Sequence, residues 1–392
     1  MSSILVINAG SATVKFAVFT VVDQQLQKNY CGLIDKITTT PKIDIKFKDQ
    51  KVLVEDLIIP KNTDPYEYVF HTILSYLEQQ SIDLVAAGHR VAHGEKYSHS
   101  MVITDEVIEY LTTLIPLAPL HQPYSLEGIN ILRKQFPQLP QLACFDTSFH
   151  TTCDKLSQLF AIPKKLAEEG VRRYGFHGLS YEYIVSEFDH YLPAHKVHGK
   201  FIIAHLGSGA SMCAVANKKS VATTLSFSAL DGLPMGTRCG DIDPGVLLYL
   251  MEHHKMGYKQ LEQLLYKESG LLGVSGGISA DMRVLLASDH PDAKLAVDLF
   301  IYKTAAWVGM LTAELQGLDG LIFTAGIGEN AVFIREKICQ RMAWLGAKID
   351  QEKNARSSTE IHASDSKILL YVIPTDEETT MARNVLQQFP IS

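Results

Sequence analysis

Residues 4–11 read ILVINAGS, and residues 201–208 read FIIAHLGS. In each stretch an apolar run leads into a turn that contains Gly and Ser, and a second apolar run follows at 16–18 and at 213–215. This order of strand, tight turn and returning strand predicts a β-hairpin. Because each copy opens one half of the chain and is followed by further strand and helix patterns, we interpret the chain as a duplicated α/β unit, with two domains facing one cleft.

Apolar residues at helical spacing predict helices between and after the two hairpins. These predicted helices are 66–80, 126–136, 244–254, 257–266 and 293–315. Two short apolar runs, 321–324 and 368–373, predict strands that each end at a polar or Gly-rich tip.

Composition limits the classes of protein that the chain can represent. Its 392 residues exceed one comfortable hydrophobic core, which favours two domains. A hydrophobic fraction of 46% and a charged fraction of 20% are typical of an ordinary globular protein. The formal net charge is -7 and no block of Lys and Arg stands out, which argues against nucleic acid as a partner.

The sequence also indicates the cellular compartment. The first residues have no basic flank before a short apolar run, unlike a signal peptide, and no apolar stretch approaches the roughly 18 residues of a membrane span. The six cysteines are scattered without a CxxC pair, which fits reduced thiols better than disulfides or a zinc site. We therefore expect a cytoplasmic protein with no membrane partner.

Polar and charged residues beside glycines cluster at the ends of apolar runs, where α/β proteins commonly bind ligands. Taken singly, each has an ordinary structural explanation, since a lone His such as His93 is more often structural and an Asp at a strand end often caps a helix. The clusters occur together, and the sequence has no Walker A motif, which favours a phosphoryl-transfer site of another type. They are HRVAHG at 89–94, CFDT at 144–147, YGFHG at 174–178, GTRCGD at 236–241 and TAGIGEN at 324–330.

With these segments the chain resembles the acetate kinases and their relatives, the propionate and butyrate kinases, within the acetate and sugar kinase/Hsp70/actin superfamily. The resemblance covers essentially the whole chain. It implies an α/β fold of two duplicated ribonuclease H-like domains, each a mixed sheet flanked by helices, around a central nucleotide cleft. The implied domains are 1–149 plus 379–392, and 150–378. The matching segments are 8–15, 89–91, 119–121, 145–147, 174–178, 205–207, 235–241, 323–330 and 374–378.

The same resemblance implies a set of site residues. Asp146, His177 and Arg238 match the catalytic positions, and Arg90 matches the arginine that holds the carboxylate or acyl phosphate. Apolar wall positions of the acyl pocket match Ala92, Leu120, Phe176 and Ala229. Magnesium positions match Asn8 and Glu377, whose oxygens suit a hard cation. Nucleotide-binding positions match Lys15, His205, Leu206, Gly207, Ser208, Gly209, Asp281, Met282, Arg283, Gly326, Ile327, Gly328, Glu329 and Asn330.

The implied reaction is direct in-line, reversible transfer of the γ-phosphoryl group of ATP to acetate, which gives acetyl phosphate and ADP. The implied cofactor is Mg²⁺, with Mn²⁺ as an alternative, and relatives are typically homodimers. A carboxylate that attacks a phosphate brings two anions together, so Mg²⁺ and two arginines must offset the repulsion. The acceptor oxygen is already deprotonated, and we therefore interpret Asp146 as an orienting group more than as a general base.

Three alternatives stay open, and one of them, a relative that acts on a branched or longer acid such as butyrate, ranks lower because the butyrate enzymes diverge more from these motifs. Where the acetate enzymes commonly have Val and Pro, this chain has Ala92 and Ala229, and these smaller walls widen the choice toward propionate. A less favoured alternative is an ATP-driven chaperone or filament protein, which needs no arginine facing a small acid. Further departures from the family pattern are Ser208 and Gln122 in place of Asn, and Leu179 and Tyr181 in place of Thr and His.

Overall fold

The computed structural model describes residues 2–391 of the chain. Contacts between Cα atoms divide it into a first unit, Met1–Phe149 with Asp376–Ser392, and a second unit, His150–Thr375. Each unit is built on one β-sheet flanked by helices, which agrees with the α/β fold class. The second unit ends at Thr375 and not at 378, because the helix Glu377–Gln388 packs against strands of the first sheet.

The strands are β1 Ser2–Ala9, β2 Val14–Val22, β3 Gln25–Asp35, β4 Lys42–Phe47, β5 Gln50–Asp56, β6 Asp83–Val91, β7 Met101–Val102 and β8 Gln141–Phe145 in the first unit, and β9 Lys200–Leu206, β10 Ala210–Ala216, β11 Lys219–Thr223, β12 Gly320–Thr324 and β13 Leu369–Val372 in the second. The α-helices are α1 Pro65–Gln79, α2 Asp105–Thr113, α3 Gln122–Gln135, α4 Lys155–Gln158, α5 Lys164–Glu168, α6 Gly178–Ser186, α7 Phe188–Tyr191, α8 Pro244–His253, α9 Tyr258–Gln263, α10 Gly270–Val274, α11 Met282–Leu286, α12 Pro291–Leu315, α13 Ala325–Asn330, α14 Val332–Arg341, α15 Gln351–Ala355 and α16 Glu377–Gln388. Short 3₁₀ turns lie at Ile115–Leu117, Ser148–Thr152, Ala194–Lys196 and Ala343–Leu345.

The two sheets share one plan. The first has the strand order β5-β4-β3-β2-β1-β6-β8-β7, and the second has β11-β10-β9-β12-β13. In the first sheet β3, β2 and β1 are antiparallel while β1, β6 and β8 are parallel, and the second sheet repeats this with β11, β10, β9, β12 and β13. The two predicted hairpins are confirmed as β1–β2 and β9–β10, and the five-strand repeat confirms the duplication.

Most predicted helices and strands are present within a few residues of their predicted ends. The exception is 257–266, which is an α-helix only over Tyr258–Gln263 and continues as a π-helical turn, Leu264–Glu268. Ser269 Oγ donates a hydrogen bond to the carbonyl of Leu264 at 2.7 Å, so a side chain takes up a carbonyl of that wider turn. Periodicity alone does not distinguish the two helix types, because one inserted residue barely changes the apolar spacing.

Each sheet carries a hydrophobic core beneath its helices. In the first unit the apolar side chains of β1 and β2 pack with those of α1. In the second, β9, β10 and β12 pack with α12. Among the described residues α12 is the one helix long and apolar enough to cross a membrane by length and composition, which the sequence analysis did not expect. More than half of its most apolar window is buried inside the unit, as expected for a core helix.

Candidate active site

Three neighbouring parallel strands of the first sheet end in polar side chains. Asn8 lies near the end of β1, Arg90 near the end of β6, and Asp146 directly after β8. In register, Ile7 pairs with His89 and Arg90 pairs with Cys144, so the three polar residues lie at one edge of the sheet. The carboxyl ends of parallel strands are where α/β sheets bind ligands.

Arg90 joins these residues. Its Nε and Nη2 donate to the two carboxylate oxygens of Asp146 at 2.9 and 2.6 Å, and its Nη1 donates to Asn8 Oδ1 at 3.3 Å. The side chain of Asp146 is 3% exposed and that of Arg90 is 25% exposed, so the pair is only partly open to solvent. Burial opposes the charge on Arg90, but the carboxylates of Asp146 and Glu377 outweigh it and raise its pKa. Arg90 is therefore a permanent cation held in one orientation.

Glu377 reaches the same guanidinium from the first turn of α16, with 3.9 Å between its Oε2 and Arg90 Nε. Burial raises the pKa of Glu377, and the neighbouring carboxylates of Asp146 and Glu378 add to this against the opposing effect of Arg90. The neighbouring Asp376 caps the helix by accepting from the backbone N–H of Thr379. An acidic cluster therefore surrounds one arginine.

Asn8 and Glu377 both approach Arg90 and carry amide and carboxylate oxygens, which are the ligand types that Mg²⁺ accepts in proteins. No group of three or more His, Cys, Asp or Glu side chains able to hold a metal occurs within residues 2–391. Mg²⁺ usually keeps several waters and binds through one or two carboxylates together with substrate phosphates, so a sparse protein ligand set is the expected one.

The tip of the first hairpin is fixed by backbone contacts. Gly10 N donates to the carbonyl of Thr13 at 2.8 Å, and the hydroxyl of Tyr66 donates to the carbonyl of Gly10. On the returning strand Lys15 pairs in register with Asn8 and is exposed. Lys15 is therefore accessible from solvent.

In the second unit the corresponding hairpin carries a pair of stacked histidines. His205 near the end of β9 lies opposite Ser211 on β10. The ring of His177 stacks on that of His205 with 4.4 Å between centroids and 20° between planes. His177 Nδ1 is hydrogen-bonded to Ser211 Oγ at 2.8 Å, and His205 Nδ1 to Ser180 Oγ at 2.8 Å. Both rings are thus oriented by serine hydroxyls.

The structure brings His177 and Arg238 together at the hairpin tip. A β-carbon placed on Gly209 would lie 3.5 Å from His177 Nε2 and 3.6 Å from Arg238 Nη2, which is ordinary van der Waals distance. Arg238 Nη1 donates to the carbonyl of Ala229 at 2.9 Å. The carbonyl of Ser208 accepts from Gly236 N at 3.0 Å, which ties the tip to the loop that carries Arg238. One ring nitrogen of His177 and one guanidinium nitrogen of Arg238 therefore flank the position above Gly209.

The segment after β12 contains the third predicted nucleotide-binding stretch, residues 326–330. It forms α13, and Glu329 Oε1 accepts from the backbone N–H groups of Ala325 at 2.8 Å and Thr375 at 3.3 Å. Asn330 Nδ2 donates to the carbonyl of Gly326 at 2.9 Å. Both side chains therefore brace the backbone of the segment, while a β-carbon on Gly326 would meet no atom within 4 Å.

Among the other predicted site residues, some side chains are exposed to solvent and others are buried. Asp281 caps α11 and pairs with Arg283 at 2.5 Å, and the side chain of Arg283 is 89% exposed. In contrast, Leu206, Met282 and Phe176 are buried in the core of the second unit. Their side chains therefore contribute to that core.

The proposed acyl-wall positions Ala92 and Leu120 belong to the first unit, where Ala92 is buried and Leu120 half-buried. The family departure at Gln122 has a structural role here. Its Oε1 accepts from His93 N and its Nε2 donates to the carbonyl of His93, each at 3.1 Å. Gln122 thereby fixes the chain directly after Ala92.

Sequence reasoning missed the residues that hold the site residues in place. Ser211 interrupts an apolar strand, and a buried hydroxyl in such a strand is a signal that could have been followed. Arg335, which is fully buried and donates to the carbonyls of Gly328 and Glu329 at 2.9 and 2.8 Å, carries no local sequence signal.

Comparison with known proteins gives a consistent result. A sequence profile described as the Acetokinase family matches residues 3–383. The chain is 46% identical over 389 residues to an acetate kinase of Nitrobacter hamburgensis, covering 98% of this chain and 96% of that one. A crystal structure of a propionate kinase from Francisella tularensis superposes with a TM-score of 0.91 at 37% identity, covering 99% of this chain and 100% of that chain. The crystal structure of Porphyromonas gingivalis acetate kinase superposes with a TM-score of 0.87 at 34% identity, covering 99% of each chain.

Proposed function

Because the chain belongs to the acetokinase family, we propose that it transfers the γ-phosphoryl group of ATP reversibly to acetate, giving acetyl phosphate and ADP. The observation that carries this proposal is the fixed guanidinium of Arg90. Asp146 and Asn8 take three of its five N–H groups, which leaves two for an anion. A small carboxylate fits such a partly exposed, oriented cation.

In the proposed reaction Arg90 holds the acceptor carboxylate, and Asp146 acts by orienting Arg90. Two donors next to Gly209 stabilise negative charge on the phosphoryl group during transfer. They are His177 Nε2 and Arg238 Nη2. No proton has to leave the acceptor, because acetate is already ionised at neutral pH. The protein therefore contributes position and charge compensation, which is what phosphoryl transfer requires.

Nucleotide binding is proposed for the backbone and side chains of three segments, 205–209, 281–283 and 326–330, with Lys15 near the phosphates. Asn8 and Glu377 would hold Mg²⁺, or Mn²⁺ in its place, and the ion would neutralise phosphate charge. The chaperone or filament alternative does not require a fixed Arg90, and the presence of the Arg90–Asp146 pair argues against it.

We further propose a cytoplasmic homodimer. In the second unit, α8 has no buried residue, and Leu248, Tyr249 and Met251 on it are 68, 52 and 50% exposed. Large apolar side chains grouped on one helix are typical of a surface that another protein covers. A second copy of the chain should cover it, so sedimentation velocity should show a dimer that Leu248→Lys dissociates. A monomeric wild-type protein would contradict this.

The deciding experiment measures ATP-dependent acyl hydroxamate formation with a series of C2 to C5 acids. We expect saturable product with acetate, and product with propionate would show that the small Ala92 admits another methylene. Arg90→Ala and Arg238→Ala should each lower kcat/KM by at least about 100-fold without a change in thermal unfolding. Hydroxamate formation with none of the acids, or ATP turnover that is independent of acid, would overturn the proposal.

A further inference from the structure

Two hydroxyl groups, those of Tyr181 and Ser211, are linked by hydrogen bonds to the ring of His177, the proposed catalytic histidine. The phenol of Tyr181 is hydrogen-bonded to Ser211 Oγ, and Ser211 Oγ is bonded to His177 Nδ1 at 2.8 Å. Tyr181 and Ser211 are fully buried, with 0% exposed surface each. The opposite nitrogen of the ring, Nε2, faces the space above Gly209. The series of hydrogen bonds therefore ends at Nδ1 of His177, and Nε2 is left on the side of Gly209.

We propose that Tyr181 and Ser211 are positioning residues that keep His177 neutral with its proton on Nε2. This proposal rests on the role of His177 in the proposed function. A phenol is a stronger donor than an aliphatic hydroxyl, so Tyr181 donates to Ser211 and Ser211 then donates to His177 Nδ1. A neutral imidazole that accepts at Nδ1 carries its proton at Nε2. His177 is thereby a hydrogen-bond donor toward the phosphoryl oxygens.

The charged groups around the ring favour the same protonation state. Arg238 Nη2 and His177 Nε2 approach the same point above Gly209, so a second positive charge on the imidazole would be repelled there. His205, stacked at 4.4 Å, would add to the repulsion if it were protonated as well. A neutral donor beside a permanently charged arginine avoids that repulsion and still supplies an N–H to the phosphoryl group.

The backbone supports the same arrangement. His177 is the residue before α6 and has a left-handed backbone conformation, with φ of 60°. A non-glycine residue held in that region is uncommon and must be fixed by its surroundings. The stacking on His205 and the bond to Ser211 supply such fixing contacts. Both the backbone conformation of His177 and the contacts of its side chain therefore fix the orientation of the ring.

Side-chain ¹⁵N NMR of histidine-labelled full-length enzyme tests the inference directly. The His177 signals are identified by their loss in His177→Gln, and we expect the Nε2–H tautomer in the wild type. Ser211→Ala should give a mixture of tautomers, and Ser211→Thr, which retains a hydroxyl, should restore the wild-type pattern. An Nδ1–H tautomer or an imidazolium in the wild type at neutral pH would overturn the inference.

Kinetics give a second, separable result. Ser211→Ala should lower kcat by about 10- to 100-fold with less than about threefold change in KM for ATP, because it disturbs a donor used in the transition state. Tyr181→Phe should produce a smaller loss in the same direction. If His177→Gln retained wild-type kcat, the catalytic role of His177 would be wrong, while the NMR result would still decide the tautomer. Unchanged kcat in Ser211→Ala beside an inactive His177→Gln would contradict the positioning role alone.

Ser220→Ala is the matched control. Ser220 is buried in the same unit and its Oγ bonds His150 Nδ1 at 2.9 Å, so the substitution removes a serine–histidine bond of the same kind. We expect it to lower thermal stability and to leave both the His177 tautomer and kcat near their wild-type values. A loss of kcat in Ser220→Ala equal to that in Ser211→Ala would show that the effect is a general loss of packing.

Discussion

At the scale of single residues, the proposed site depends on Gly209, which has no side chain to occupy the space next to His177 Nε2 and Arg238 Nη2. Gly209 has no positive φ, so an alanine there is not excluded by the backbone. Its β-carbon would lie in van der Waals contact with His177 Nε2 and Arg238 Nη2 and would not clash. An alanine at position 209 should therefore affect catalysis without affecting the stability of the fold.

We predict that Gly209→Ala lowers kcat for acetyl phosphate formation by at least about tenfold and changes the melting temperature little. The added methyl group occupies the space that a phosphoryl oxygen would need between the two donors, and removal of such contacts commonly costs 10²–10³ in kcat (about 3–4 kcal/mol). Steady-state kinetics and thermal unfolding on the same sample decide this. Wild-type kcat in the variant would show that no reacting group occupies that space.

A second prediction at this scale concerns His89, which is buried beside the site in β6. Burial lowers its pKa to about 4, while a hydrogen bond between its Nε2 and Gln141 Oε1 at 2.8 Å partly opposes the shift. The unfolded chain binds a proton near pH 6.5 and the folded chain does not, so stability is full above pH 6.5 and is lost as pH falls toward 4.

The free energy of unfolding should therefore fall by about 2 kcal/mol between pH 7 and pH 5 through His89 alone. Urea titrations of the wild type and of His89→Asn at both pH values isolate this contribution. Between pH 7 and pH 5, the free energy of unfolding of the variant should fall by about 2 kcal/mol less than that of the wild type. Equal pH dependence in the two proteins would show that His89 titrates alike in the folded and unfolded states.

At the scale of secondary-structure elements, the duplicated strand order explains where the polar groups gather. The ends of β1, β6 and β8 carry Asn8, Arg90 and Asp146, and the ends of β9 and β12 carry His205 and Thr324 in register. The sequence revealed both hairpins because each is an apolar run broken by Gly and Ser. It could not reveal the serine and arginine side chains that orient the site, since those contacts join residues distant in sequence.

Arg335 on α14 is such an orienting residue for the element α13. All five of its N–H groups are engaged: with the carbonyls of Gly328 and Glu329, with the side-chain oxygen and the carbonyl of Asn354, and with Ser357 Oγ. No carboxylate is among these partners, and burial lowers the pKa of Arg335. Arg335 therefore acts as a buried clamp on the proposed nucleotide segment and its neighbour α15.

We predict that Arg335→Lys destabilises the protein by at least about 2 kcal/mol and raises KM for ATP about tenfold or more. A lysine has three donors on a point charge and leaves several buried oxygens without a partner. The matched control is Arg341→Lys on the same helix, where the side chain is exposed and the expected change is below about 0.5 kcal/mol. Equal effects of the two substitutions on unfolding would contradict the clamp.

At the scale of the whole molecule, the chain completes its first unit with its last helix. α16 packs against β1 and β6, although more than 280 residues separate it from β6. Sequence comparison with a known family placed Glu377 at a magnesium site with Asn8, and the structure brings both side chains to Arg90. Composition and periodicity could not predict this return of the chain, because they carry no information on contacts between distant segments.

Gly88 on β6 is the position where this return is most closely packed, and it allows a direct test. A β-carbon on Gly88 would lie 2.8 Å from Val385 Cγ2 and 3.8 Å from Met381 Cβ, both on α16. Val385 is β-branched and fully buried, so it cannot turn away easily. We therefore predict that Gly88→Ala costs about 1–3 kcal/mol in free energy of unfolding, despite the entropic advantage of alanine over glycine.

A double-mutant cycle separates this contact from other effects of the substitution. Val385→Ala alone should cost about 1–3 kcal/mol through the cavity that it leaves, but in the Gly88→Ala background it should cost at least about 1 kcal/mol less, because the new methyl fills that cavity. Gly309→Ala in α12, where the β-carbon would lie 3.8 Å from Trp344, controls for the glycine effect and should be neutral or stabilising. Strict additivity of the two substitutions in urea unfolding would show that α16 does not pack on Gly88, and that the first unit does not depend on the end of the chain in this way.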